Sequence, residues 1–232
     1  MEQVPLYQGL TFYEKYVQTQ GLLALQKPRA EQANHDELCF QVTHQAMELW
    51  LKVVHQELEE NVRRMDDDKL LEAAHGFHRC VEILKVCCAG LGVLETMSPL
   101  SYHGIRVTLG RGSGQDSPGF NRLLDCRPWV WPPFEKVMQR HGMTLIDVHR
   151  RPTAHWDEYR LASELMAFDE GFQTFRYAHF SLVRRIIGAD VKSLKGIPAS
   201  SLSRGTTEPL FKELWDVINV LTRETSDVYG GH

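Results

Sequence analysis

Two long runs of apolar residues at helical spacing leave this chain little choice of fold. In the first, Phe40, His44, Met47, Leu51, Val54 and Leu58 recur in steps of four and three. In the second, Leu161, Leu165, Phe168, Phe172, Phe175, His179, Val183 and Ile186 do the same. An α-helix brings such positions onto one face, whereas a strand would scatter them over both. Leu38, Val42, Leu49 and Val53 add a second stripe to the first run and predict a wide buried face. That helix is expected from about Asn34, as N-cap, to about Arg64. Another is expected from Lys69 to Ala89, ending at Gly90 and Gly92. Ser98-Pro99 predicts a short helix over 99–109, followed by a loop over 110–119. Pro128-Trp129-Val130-Trp131-Pro132-Pro133 is expected to break regular structure, with one short helix over 134–142. Further helices are expected over Tyr13–Gln26 and, capped by Thr207, to Glu224, with Gly188 ending the second long run and a loop over 192–206. No segment reads as a strand. The fold class is all-α, a helical bundle, with 1–232 as one domain.

The remaining bounds come from composition. The chain has 232 residues, a formal charge of -4 and 43% hydrophobic residues, enough for a single large core. The mild acidity predicts no nucleic-acid partner and no attraction to anionic membranes. No stretch is apolar enough to span a membrane, and the N-terminus lacks a signal-peptide pattern, so a cytoplasmic location is expected. The five cysteines form no CxxC pair and read as reduced apolar fillers.

His44 and His179 each sit within an apolar stripe. A lone histidine there is usually a hydrogen-bonded core residue, because an imidazole needs partners when buried. Two of them on separate long helices point further. A bundle can place one on each side of a flat apolar cofactor, for which haem is the natural candidate. His75 and His78 are spaced for chelation but lack a matching third ligand. His141, His149 and His155 read as surface or loop residues. Tyr102 and Arg106 lie four apart on the short helix, a spacing that can hold the carboxylate of an amino acid through the guanidinium and the phenol. No nucleotide-binding, hydrolase or metalloprotease motif is present.

The stretch from His35-Asp36-Glu37 through Phe40 and His44-Gln45 to Glu48-Leu49-Trp50 resembles the signature of the tryptophan 2,3-dioxygenase family. The resemblance continues, in order, through Leu94–Pro99 with Tyr102, Gly104 and Arg106, through Phe172–His179, and through Phe211–Asp216. It implies an all-helical enzyme enclosing haem b, with O2 as co-substrate and an aromatic amino acid as substrate. His179 would be the proximal ligand of the haem iron. Phe40 and His44 would lie on the distal side, with His44 near the indole nitrogen. Tyr102 and Arg106 would bind the substrate carboxylate, and Ser113 would sit near the oxygen. Tyr13, Tyr16 and Val17, in an N-terminal segment over 1–30, would reach a neighbouring subunit. The resemblance therefore implies a homo-oligomer, a tetramer rather than a dimer.

The chain also departs from the family's pattern. It is shorter, with the deficit expected between about Leu124 and Trp156. Leu91 stands where relatives carry a tryptophan. Lys192-Ser193-Leu194-Lys195-Gly196 replaces a glycine-rich loop, with Ser193 in place of a threonine that meets the substrate ammonium. Ring cleavage of tryptophan or a substituted tryptophan to an N-formylkynurenine-type product is the leading expectation. Hydroxylation of a tryptophan-like amino acid in secondary metabolism, or haem binding without catalysis, are the alternatives.

Overall fold

The structure is a computed structural model that describes residues 9–110, 112, 114–188 and 205–226. Among these residues there are ten α-helices and no strand: α1 (Phe12–Val17), α2 (Thr19–Leu22), α3 (Glu37–Asp66), α4 (Leu70–Leu94), α5 (Pro99–Thr108), α6 (Pro118–Leu124), α7 (Arg127–Arg140), α8 (Leu145–Arg150), α9 (Trp156–Ile186) and α10 (Lys212–Ser226). The all-α expectation holds. None of the helices described is long and apolar enough to cross a membrane.

Helix α4 is the centre of the bundle, with α3 and α9 packed against it. The α3–α4 pair is antiparallel, joined by the turn at Asp67–Lys69. Helix α9 runs parallel to α4, as three contacts at successive levels show. His78 meets Glu164, the side chain of Leu84 lies over Gly171, and Glu95 reaches Arg185. The α3 N-terminal half, the α4 C-terminal end and the α9 C-terminal half therefore lie at the same end of the bundle. The core between these helices includes Leu51, Val54, Leu58, Phe77, Leu84, Leu91, Leu165, Phe168 and Phe172, all buried. Helices α6 and α7 cover α3, while α8 and α10 close the other side against α9. Burial of each such side chain contributes on the order of 2 kcal/mol, so these stripes decide the topology.

Several sequence expectations are corrected. The long α3 starts at Glu37, and Asn34 is not its cap. The Asn34 side chain instead accepts from the Asp36 N–H and donates to the Ser101 carbonyl, tying the entry of α3 to α5. Helix α4 continues through Gly90 and Gly92 to Leu94, because Leu91 and Leu94 keep its buried stripe going. The proline run does not break the chain. Helix α7 passes through Pro132 and Pro133, and its buried Val130, Trp131, Phe134 and Val137 offset the missing backbone hydrogen bonds. The N-terminal helix is two pieces, α1 and α2, parted at Gln18, whose φ is +58°.

Helix α10 begins at Lys212, not at Thr207. The buried Asp169 carboxylate accepts from the Leu210 and Phe211 N–H groups at 2.9 Å each and from Trp215 Nε1 at 3.1 Å, so a carboxylate from α9 sets its start. The stripe Leu38, Val42, Leu49 and Val53 is exposed rather than buried, because α4, α6 and α7 occupy the other faces of α3. His141 is not a free surface residue. It stands at the C-terminus of α7 and bonds Glu158 at 2.6 Å and Asp68 at 2.9 Å. The cysteines are unpaired, and Cys80, Cys87 and Cys126 are buried in the core. Burial pushes the Cys87 and Cys126 thiols up to about 12, so all three act as apolar fillers.

Candidate active site

The two stripe histidines meet at one cavity of about 350 Å³. His44 comes from α3 and His179 from α9, and Leu91 of α4 contributes to the lining between them. Met47, Leu51, Phe120, Leu124 and Phe175 make most of the remaining wall apolar. Glu48, Ser117, Arg176 and Glu208 supply its polar groups. The register of the bundle explains the meeting. Residues eight into α3 and twenty-four into α9 reach the same level because the two helices run in opposite directions on α4.

His44 has a defined tautomer. Its Nδ1–H donates to the Phe40 carbonyl at 2.7 Å, one turn back, which leaves Nε2 as an acceptor with no partner among the described residues. The Phe40 ring packs on the imidazole with centroids 4.2 Å apart. Burial holds the His44 pKa below the ordinary histidine value, although the Phe40 carbonyl and the charge of Glu48 oppose the shift. His179 is likewise held low, first by burial and then by the nearby His44. Among the described residues neither nitrogen of His179 has a hydrogen-bond partner. Gly114 lies beside it without a side chain; a Cβ there would stand 3.3 Å from His179 Nε2. A neutral imidazole with a free nitrogen beside an apolar space is the donor that an iron-bearing prosthetic group requires.

The other expected residues fall into three sets. Phe40, Tyr102 and Arg106 do not line the cavity itself, although Phe40 packs on His44 and Tyr102 neighbours Phe40. Tyr102 lies 6.1 Å from the Phe40 ring, and burial raises its phenol pKa while the charge of Arg106 lowers it. Arg106 is half-buried and, among the described residues, makes no ion pair. Helix α5 is held in place by the Ser98 cap and by Thr108, whose hydroxyl donates to the buried Glu37 carboxylate at 3.2 Å. Tyr13, Tyr16 and Val17 on α1 do not line the cavity. They are exposed, Tyr16 at 90%. Ser113 and Ser193 lie outside the described residues, as does the 192–196 loop. His78 bonds Glu164, and among the described residues no three His, Cys, Asp or Glu side chains converge on a metal position.

Glu48 and Ser117 do not stand out in the sequence as site residues. The usable signal was the spacing of Glu48, one helical turn after His44 and so on the same face. Their partnership spans 69 residues and leaves no local trace. Leu91, noted as a replacement for a larger residue, does line the cavity.

Comparison with known proteins bears on the same residues. The family model for tryptophan 2,3-dioxygenase matches residues 5–127, which include His44, Tyr102 and Arg106. The tryptophan 2,3-dioxygenase of Myxococcus xanthus is 29% identical, covering 92% of this chain and 91% of its own length. That of Herpetosiphon aurantiacus is 29% identical over 90% of this chain and 98% of its own length. That of Burkholderia mallei is 27% identical over 90% and 84%. The first two alignments run over 265 and 256 positions, more than the 232 of this chain, so these relatives carry residues that it lacks. With the family model covering more than half of the residues, and with relatives matched across nearly the full length, the chain belongs to the tryptophan 2,3-dioxygenase family.

Proposed function

We propose that this chain is a haem-dependent dioxygenase that adds both atoms of O2 to the indole ring of L-tryptophan, or of a substituted tryptophan, giving an N-formylkynurenine-type product. The observation that carries the reading is the pair His44 and His179 on one apolar cavity, each with a ring nitrogen that has no hydrogen-bond partner among the described residues. The lining fits haem b: apolar walls, an imidazole with no hydrogen-bond partner among the described residues for the iron, and Arg176 as a nearby cation for a propionate. His179 would hold the haem iron. Bound haem would supply the activation of O2 toward an electron-rich ring.

The chain's own residues then bind and orient. The bare Nε2 of His44 accepts the indole N–H, and burial keeps it neutral for that task. Phe40 backs the His44 ring and flanks the substrate. Arg106 binds the substrate carboxylate through two parallel bonds, with the Tyr102 hydroxyl adding a third. Holding the amino acid at both ends removes much of the entropic barrier to reaction. Ser113 and Ser193 complete the substrate and oxygen side in this reading. Tyr13, Tyr16 and Val17, exposed on α1, reach the site of a neighbouring copy in a homo-oligomer, a tetramer. The exposed stripe of α3 gives the same assembly a further apolar surface.

The test is haem loading of wild type and His179→Ala. Wild type is expected to take up haem with a Soret band shaped by a histidine ligand, and the variant to lose that spectrum. A variant with unchanged haem content and spectrum would remove His179 from its role.

A further inference from the structure

We infer that Glu48 is a positioning residue, whose carboxylate pins the 114–119 segment across the cavity at a fixed distance from His44 and His179. The inference rests on reading this cavity as the oxygenase site.

The geometry starts from one turn of α3. Glu48 follows His44 by four residues and faces the same cavity. Its Oε1 accepts from the Ser117 hydroxyl, and its Oε2 accepts from the Gly119 N–H at 3.1 Å. The Ser117 oxygen in turn accepts from the Phe120 N–H at 3.1 Å, so the hydroxyl is used in both directions. One turn pair further along α3, His55 Nε2–H donates to the Gly119 carbonyl at 2.9 Å. Gly119 is thus held through both its amide and its carbonyl by two side chains of one helix. Only glycine permits this approach, since a Cβ would lie 2.8 Å from both Glu48 Oε2 and Leu51 Cβ.

The other end of the segment stands against the opposite wall. Gly114 lies beside His179, and Phe120, just past the pin, packs its ring 5.5 Å from Phe172 and 6.0 Å from Phe175. The segment therefore bridges from the α9 histidine to α3, and the Glu48 pin sets how far apart the two walls stand. Hydrogen bonds to a carboxylate are roughly twice as strong as neutral ones, and a displacement of about 1 Å at a reacting pair can cost about 100-fold in rate. A carboxylate is well suited to hold two donors at once. A glutamine keeps most of the arrangement, because its oxygen accepts from Gly119 and its amide donates to the Ser117 oxygen.

The experiment compares wild type, Glu48→Gln and Glu48→Ala as haem-loaded full chains. Turnover of L-tryptophan and amide hydrogen exchange of peptides covering 114–120 are both measured. Glu48→Ala is expected to lose about 100-fold in kcat, with exchange in 114–120 at least about tenfold faster and haem uptake retained. Glu48→Gln is expected to stay within about threefold of wild type in both. Rescue by the glutamine separates positioning from the carboxylate's charge. A Glu48→Gln loss as deep as that of the alanine, or wild-type kcat in both variants, overturns the inference. Wild type without product would count against the oxygenase reading alone. The exchange measurement then decides the pin, and unchanged protection in Glu48→Ala overturns it.

Discussion

At the scale of single residues, the site depends on which polar atoms are left free. Among the described residues His44 has one nitrogen committed to Phe40 and one open, and His179 has no hydrogen-bond partner. Both were legible in the sequence, because each interrupts an apolar stripe at a helical step. Glu48 was not, because a glutamate one turn from a histidine looks like any solvated helix residue until Ser117 and Gly119 are placed against it. Tyr102 and Arg106 were legible as a spacing, and the structure sets Tyr102 beside Phe40, with the charge of Arg106 acting on its phenol. Charge-assisted hydrogen bonds contribute about 1.5–3 kcal/mol, against about 1 for a neutral one. Arg106→Ala is therefore expected to raise KM for tryptophan by about 10- to 100-fold, and Tyr102→Phe by about 5-fold. Steady-state kinetics on both variants checks this, and an unchanged KM in both would contradict the carboxylate clamp.

At the scale of elements, the long helices could be read because their stripes outweigh local signals, and α5 because Ser98-Pro99 marks its start, whereas the course of α7 and the start of α10 could not. Pro132 and Pro133 argue locally against a helix, yet Trp131, Phe134 and Val137 bury enough surface to keep α7 continuous. Thr207 looks like a cap, but the start of α10 is set by Asp169, 43 residues before Lys212, which no local pattern reveals. The Asp68–His141–Glu158 cluster, joined by Arg140, ties the α3–α4 turn to the end of α7 and the start of α9. The hydrogen bond to Glu158, with Asp68 adding to it against some burial, raises the His141 pKa above the ordinary 6.5. A pKa raised by folding gives stability that is fully present below about 6.5 and is lost as pH rises through the folded value. The melting temperature of wild type should thus exceed that of His141→Leu most at pH 6, with the gap narrowing by pH 9. A gap that widens with pH would contradict the cluster's assigned charge.

At the scale of the whole molecule, one antiparallel crossing on α4 brings α3 and α9 to a common cavity, and that crossing turns two separate sequence stripes into one site. The same bundle leaves Val42, Leu49 and Val53 exposed on α3, and Phe12, Tyr13 and Tyr16 on α1. An assembly that covers them is expected to show four times the 26.7 kDa of one chain by light scattering, and Val42→Lys with Val53→Lys should lower that mass. A monomeric wild type would contradict the shared-site arrangement. Reduced, haem-loaded protein mixed with L-tryptophan under 18O2 should yield a ring-opened product carrying two labelled atoms. A product carrying one labelled atom would make the chain a hydroxylase, and none at all from tryptophan or its ring-substituted analogues, with the haem spectrum intact, would contradict catalysis at this cavity.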